Sequence, residues 1–225
     1  MKTVGLVVAV EDVIIDAFSS KSVKTILCGK YKISNIIFND CNIYIIKCLA
    51  GEICAASATQ LLISKYNVEV IINLGVVGAL TDSFSVRDTA LVESVVHYDF
   101  DTSESDHCEV GRYLQFPAVA IETDRTLLNL AREIFPNVSL ARIASGDKFI
   151  ANIDKKRQLA KDFGADICDM ESAGIVITCY NNNIPCLLIK AISDSVTGGA
   201  EEYHKLIDNA SEECVLVVKK LLEKV

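Results

Sequence analysis

The sequence predicts an α/β chain: a three-layer αβα sandwich around a mixed, largely parallel central sheet. Two observations carry this. Apolar, β-branched runs recur along the chain, as expected of strands buried on both faces. Segments of helical period separate them, and strands alternating with helices imply crossover-linked parallel pairing. A third observation qualifies it. Three short β runs crowd residues 24–49 around the turn dipeptides Gly29-Lys30 and Asn39-Asp40, so part of the sheet should be antiparallel.

The elements follow in order. Residues 3–10 read as a buried strand, and 24–49 as the meander. Residues 52–66 have helical character, with Ile53, Ala56, Gln60 and Ile63 on one stripe. Residues 68–74 form a second buried strand that closes on Gly75-Val76-Val77-Gly78, read as a loop. Residues 90–96 are a strand. A helix over 124–135 takes Thr123 as its N-cap and stops at Pro136. Strands at 140–144 and 167–170 flank a charged helix around 154–163. A helix over 171–180 ends at Asn181-Asn182-Asn183, and 184–192 form the last strand. In the final helix, about 201–222, Tyr203, Ile207, Ala210, Cys214, Val217 and Leu221 recur every three or four residues. No repeat, low-complexity stretch or linker interrupts the chain, which predicts a single domain over 1–225.

Bulk properties exclude several functions. The 225 residues are 51% hydrophobic, enough for a sizeable core, and 22 basic against 30 acidic residues leave a net charge of −8. That balance argues against nucleic acid as a partner, since phosphate binding needs a basic face. The nine cysteines form no C-x-x-C pair and no cluster with zinc spacing. Neither a metal nor a cofactor is therefore expected. Scattered thiols in apolar runs fit buried cysteines in a reducing, cytoplasmic compartment. The N-terminal apolar run is too short for a signal peptide, and the uncharged stretch after Glu69 carries Asn73 and two glycines. Neither reads as a membrane span.

In an open α/β sheet, ligands bind beyond the carboxyl ends of the strands. Four predicted strand ends carry polar or small residues: Glu11-Asp12, Gly75 to Gly78, Ser145-Gly146-Asp147 and Ser193-Asp194. A fifth, Asp169-Met170-Glu171, lies where a strand passes into a helix. Any one carboxylate there could be a cap or a solvated turn residue. Several at one sheet edge point to a site.

Three of these segments also carry a resemblance. Ser145-Gly-Asp-Lys-Phe-Ile150, Asp169-Met-Glu-Ser-Ala173 and Lys190-Ala-Ile-Ser-Asp194, in that order, resemble the purine nucleoside phosphorylase and hydrolase superfamily. Within it the segments are most similar to the methylthioadenosine/S-adenosylhomocysteine nucleosidases. Residues 96–103 resemble that group's H-D-x-D stretch, and Gly75 to Gly78 its G-(S/T)-A-G loop. The resemblance implies a nucleoside phosphorylase-like fold, a purine nucleoside as substrate, and a homodimer whose interface includes residues 97–106. It also implies roles. Asp194 would donate or share a proton at the purine N7, and Glu171 would hold the ribose hydroxyls. Met170 would pack under the ribose, Phe149 would stack on the base and the Ile150 backbone would read its edge. Ala50, Val76, Gly78 and Ser193 would complete the binding wall.

The nucleophile separates the alternatives. Phosphorylases of this superfamily use arginines near the first strand and before the glycine loop, with a hydroxyl in that loop. Here no Arg precedes Arg87, and Val76 replaces the hydroxyl. Two acids, Glu11 and Asp12, stand where a phosphate would lie, which favours water. The nucleosidases' water-activating Glu corresponds to Val13, so Asp12, or Glu11, is expected to serve, Asp12 the nearer. The family's first Glu of E-M-E is Asp169 here, and its Arg of R-A-I-S-D is Lys190. The segment Thr197 to Ala200 lacks the usual Phe over the substrate's sulfur. A nucleosidase, a phosphorylase and a binding protein without a base remain the readings to separate.

Overall fold

The computed structural model describes residues 1–8, 15, 18 and 23–224, and for residues 206–213 the backbone alone. Glu11, Asp12 and Val13 lie outside the described residues. The apolar run at the start forms β1 (Lys2–Val8), buried from Val4 to Val8, with Lys2 exposed and Thr3 half-buried. It pairs in parallel with β4 (Cys41–Lys47) on one side and β5 (Val70–Ala79) on the other. The turn dipeptides close the meander as expected. β2 (Lys24–Cys28) and β3 (Tyr31–Phe38) run antiparallel to each other, and β3 antiparallel to β4.

Beyond β5 the sheet curls back on itself. β10 (Cys186–Asp194) is parallel to β5, and β6 (Thr89–His97) is antiparallel to β10. β8 (Ser139–Ser145) follows, parallel to β6, then β9 (Ile167–Asp169), parallel to β8. β9 meets the last residues of β5, pairing Gly78 with Cys168 and Ala79 with Ile167, so five strands form a closed ring. The short β7 (Ile121–Glu122) lies against β6. The sheet is thus mixed, with two parallel sets joined by antiparallel seams.

Helices cover both faces. α1 (Glu52–Tyr66) and α5 (Ser172–Asn181) pack on one core, through Ala55, Ala58 and Leu62 against Ala173, Val176 and Cys179. α3 (Arg125–Ile134) and α6 (Ala200–Leu222) cover the other, through Leu127, Leu128 and Ala131 with Cys214, Val217, Val218 and Leu221. α4 (Ile153–Phe163) closes a third, smaller cluster with Leu159, Ala160 and Phe163, and α2 (Ser103–Asp106) is a single turn. This is the three-layer sandwich.

Four local expectations are corrected. Gly75 to Gly78 is no loop: β5 continues through it, paired with β10 across a bulge at Ser193. The buried face of α1 is Glu52, Ala55, Ala58, Thr59 and Leu62, while Ile53 is 80% exposed. Small residues win that face because α5 comes very close; a Cβ on Gly174 would collide with the Glu52 carbonyl. Thr123 does not cap α3. Its hydroxyl donates to the Val92 carbonyl, and Asp124 accepts from the Leu127 amide instead. Glu171 precedes α5 rather than starting it, at the N-cap position.

Candidate active site

Of the strand ends expected to converge, those of β5, β9 and β10 meet, Ser145 of β8 reaches them through its bond to Asp169, and Glu11 and Asp12 lie outside the described residues. Ala50, Val76, Gly78, Phe149, Ile150, Met170, Glu171, Ser193 and Asp194 all line one cavity, together with Asp169 and Tyr203. It encloses about 510 Å³ of empty space, its open mouth included. Curling of the sheet brings the ends of β5, β9 and β10 to one place.

Asp194 is 2% exposed at the end of β10. The register against β5 shifts between Ile192 and Asp194, a bulge that re-aims the side chains of a strand. Here Ser193 and Asp194 both end up buried. The Ser193 hydroxyl lies 2.9 Å from Asp194 Oδ1 and 3.1 Å from the Val77 carbonyl, either of which can take its proton. Gly78 faces the carboxylate, and a Cβ there would stand 3.0 Å from Asp194 Oδ2. A side chain at residue 78 would crowd the acid. On its other side Lys156 Nζ donates to Oδ2 at 2.5 Å.

Glu171 lies across the cavity. Its Oε1 accepts from the Gly51 amide and Oε2 from the Met170 amide, each at 3.3 Å. Burial raises its pKa, the Asp169 charge adds to this, and Lys190 and the two amides only partly offset them. The result is pushed up to about 7. Glu171 therefore changes charge within the neutral range.

Behind Glu171 stands a network that sequence reasoning did not foresee. Lys190 is 1% exposed and donates to Asp169 Oδ2 at 2.7 Å. Asp169 also takes the Ser172 hydroxyl at 2.5 Å and amide at 3.3 Å, and the Ser145 hydroxyl at 2.6 Å. Burial acts to raise the Asp169 pKa, but the Lys190 charge and these hydrogen bonds outweigh it and hold it low. Ser145 Oγ is also 2.5 Å from Glu52 Oε1. One hydroxyl proton cannot serve two carboxylates. Burial, with the Asp169 charge next, pushes Glu52 up to about 8, so Glu52 carries the second proton at neutral pH. Its other oxygen accepts from the Gly174 amide at 2.5 Å. Glu52 opens a predicted helix, where an acid reads as a solvated first-turn residue; nothing local marks it as buried.

Phe149 keeps 46% exposure and meets Tyr203 edge-on at 5.4 Å. Tyr203 was read as part of the final helix's apolar stripe; it instead lines the cavity from the start of α6. The buried cations near the cavity are each committed to a carboxylate, Lys156 to Asp194 and Lys190 to Asp169. No arginine lines it among the described residues, and Lys148 is largely exposed. No group of three or more potential metal ligands occurs among the described residues. The arrangement can donate or accept a proton at Asp194, accept hydrogen bonds from hydroxyls at Glu171, and stack a planar ring on Phe149.

Comparisons with known proteins agree with this geometry. The family model described as the phosphorylase superfamily matches residues 3–225. A 5′-methylthioadenosine/S-adenosylhomocysteine nucleosidase of Staphylococcus aureus (strain JH9) is 30% identical over 194 residues, 84% of each chain. Among solved structures, the nucleosidase of that name from Helicobacter pylori, with butyl-thio-DADMe-Immucillin-A, superposes with a TM-score of 0.94. It is 22% identical over 100% of this chain and 99% of that one. A futalosine hydrolase mutant of Helicobacter pylori also gives 0.94, at 21% identity over the whole of both chains. The nucleosidase of Neisseria meningitidis with methylthio-immucillin-A gives 0.91, at 23% identity over the whole of both chains. At these identities the structural likeness establishes the fold.

Proposed function

The chain belongs to the phosphorylase superfamily, and from that premise we propose that it hydrolyses the N-glycosidic bond of 5′-methylthioadenosine, S-adenosylhomocysteine or both, releasing adenine. The observation that carries this reading is the pairing of Asp194 and Glu171 on one cavity whose buried cations are already spent on carboxylates. Cleavage places positive charge on the ribose and negative charge on the base. Groups that bind this charge-separated state better than the substrate accelerate it.

Asp194 is the leaving-group acid. It gives a proton to N7 as the bond to N9 breaks, so adenine leaves neutral. Ionised Glu171 accepts hydrogen bonds from the ribose hydroxyls and stabilises the cationic sugar. Met170 packs under the ribose, Phe149 stacks on the base, and the Ile150 backbone reads its edge. Gly78 and Val76 give the base close approach to β5, while Ala50 and Ser193 close the wall. Water attacks, activated by Asp12 or Glu11 of the first loop. An anionic phosphate has no free fork of donors in the described cavity.

The protein acts as a cytoplasmic homodimer in this reading, which nine free thiols and the family resemblance support; sedimentation at micromolar concentration should give twice the chain mass. No helix of the described residues is long and apolar enough to cross a membrane. The activity is tested by following adenine release and reducing sugar from each nucleoside, with and without phosphate. Release at the same rate in phosphate-free buffer is expected. A rate that requires phosphate would make the chain a phosphorylase, and binding without turnover would make it a nucleoside-binding protein.

A further inference from the structure

Lys156 has no part in the reaction as described so far, yet it is fully buried. It sits on α4, anchored against Tyr98, Ala144 and Cys168 by Leu159, Ala160 and Phe163. From there it reaches the turn that follows β10. Its ammonium has three acceptors: Asp194 Oδ2 at 2.5 Å, the Ser195 carbonyl at 2.6 Å and the Gly198 carbonyl at 3.2 Å. An ammonium has three protons, and all three are used, so only the charged form satisfies the set. A buried lysine left without such partners would be strongly destabilising. The same turn is gripped from the other side, where Glu202 Oε2 accepts from the Ser195 amide at 2.8 Å.

We propose that Lys156 is a positioning residue for the leaving-group acid: it fixes the Asp194 carboxylate and the Ser195–Gly198 turn, and stabilises the carboxylate formed when Asp194 gives up its proton. The proposal rests on the nucleosidase reading and adds a residue to it. In the step, the bond from C1′ to N9 breaks with its electron pair going to the base. The Asp194 proton passes to N7, and the oxygen of water bonds to C1′ while its second proton leaves to the base of the first loop. Lys156 transfers no proton. It stands beside the negative charge as that charge appears, which is electrostatic stabilisation by a preorganised group. The Cys168 thiol from β9 and the Tyr203 hydroxyl from α6 also feel the Asp194 charge, and Glu171, Asp169 and Lys148 share its cavity. Of these only Lys148 is a cation, and it is largely exposed and paired with Asp99.

The test compares wild type with K156M, which keeps the length of the stem and loses the charge, and with K155M, an exposed neighbour on the same helix. For K156M, kcat on 5′-methylthioadenosine should fall on the order of tenfold or more while KM changes little, because the stabilised charge arises only in the transition state. The pH profile of its kcat/KM should also change, since no cation then stands beside the acid. K155M should match wild type in both. A folded K156M with wild-type kcat and an unmoved profile overturns the proposal. A wild type that releases no adenine overturns the nucleosidase reading itself, a different result. If K156M fails to fold, the side-chain ¹⁵N signals of the wild-type lysines decide. A slowly exchanging ammonium resonance that shifts on adding adenine supports the proposal, and its indifference to adenine overturns it.

Discussion

Two buried Lys–Asp pairs stand at one end of the sheet, and they differ in what is left over. At Asp169, Lys190, Ser145 and both the hydroxyl and amide of Ser172 converge on the carboxylate. Its lone pairs are occupied, and the group has a structural character. At Asp194 the partners are Lys156 and Ser193, and the carboxylate lines the cavity with Gly78 opposite. It has capacity to meet a ligand. The same residue types thus build a strut in one place and a reactive group in the other, and the number of donors separates them.

The largest expected effect breaks this comparison directly. D194N should lower turnover by at least about a hundredfold, the usual contribution of a positioned acid. D169N should retain more of its turnover per folded molecule but lose stability by about 3–5 kcal/mol, because Lys190 is left as an uncompensated buried charge. D194N strands Lys156 in the same way, so it too should melt lower, and D194N/K156M should recover stability without recovering activity. Thermal melts and adenine release on the four proteins check this. Equal turnover in D194N and D169N would erase the distinction.

Glu171 sharpens it. With its pKa pushed up to about 7, and with the ionised form needed to hold the ribose, kcat/KM should rise with pH and level off above about 7. E171Q should lower kcat strongly and lose that rise. A variant with normal kcat and only a raised KM would mean that Glu171 binds substrate and transition state alike.

The strut side has its own pH signature. The Glu52 pKa is about 8 in the folded chain against an ordinary 4.5. Between those values the folded state binds the proton and the unfolded state does not, so Glu52 makes stability fall as pH rises from about 4.5 to 8. Glu171 acts with the same sign up to about 7. In E52Q the amide can donate to Ser145 and accept from Gly174 as the protonated acid does, so denaturant midpoints should fall less over this range. An unchanged slope would show that Glu52 is not the proton carrier. Smaller and more local, D12N should slow hydrolysis more than E11Q if Asp12 activates water, and V13E should match or exceed wild type; full activity in both amide variants would place the base elsewhere.

The sequence was informative where chemistry and local pattern coincide. Strand ends marked by Ser145, Asp169 and Asp194 lie around one cavity because buried strands announce themselves by composition and ligands gather at their carboxyl ends. Long-range packing was not legible. The stripe assigned to α1 was wrong because a glycine on α5, distant in sequence, lets the helices approach on their small residues. Lys156 and Glu52 carry no local mark of their burial, since their partners lie on other elements. Tyr203 fitted the apolar period of α6 and still faces the cavity. Gly75 to Gly78 had turn-like composition, yet its glycines serve close approach to β10 within a strand.

The most direct test of water as nucleophile and Asp194 as acid is product analysis in ¹⁸O-labelled water with phosphate present. Wild type should release adenine and a reducing sugar carrying ¹⁸O at C1, and D194N should form neither at a comparable rate. A sugar 1-phosphate as product, or unlabelled C1 in the first-formed sugar, would contradict the account.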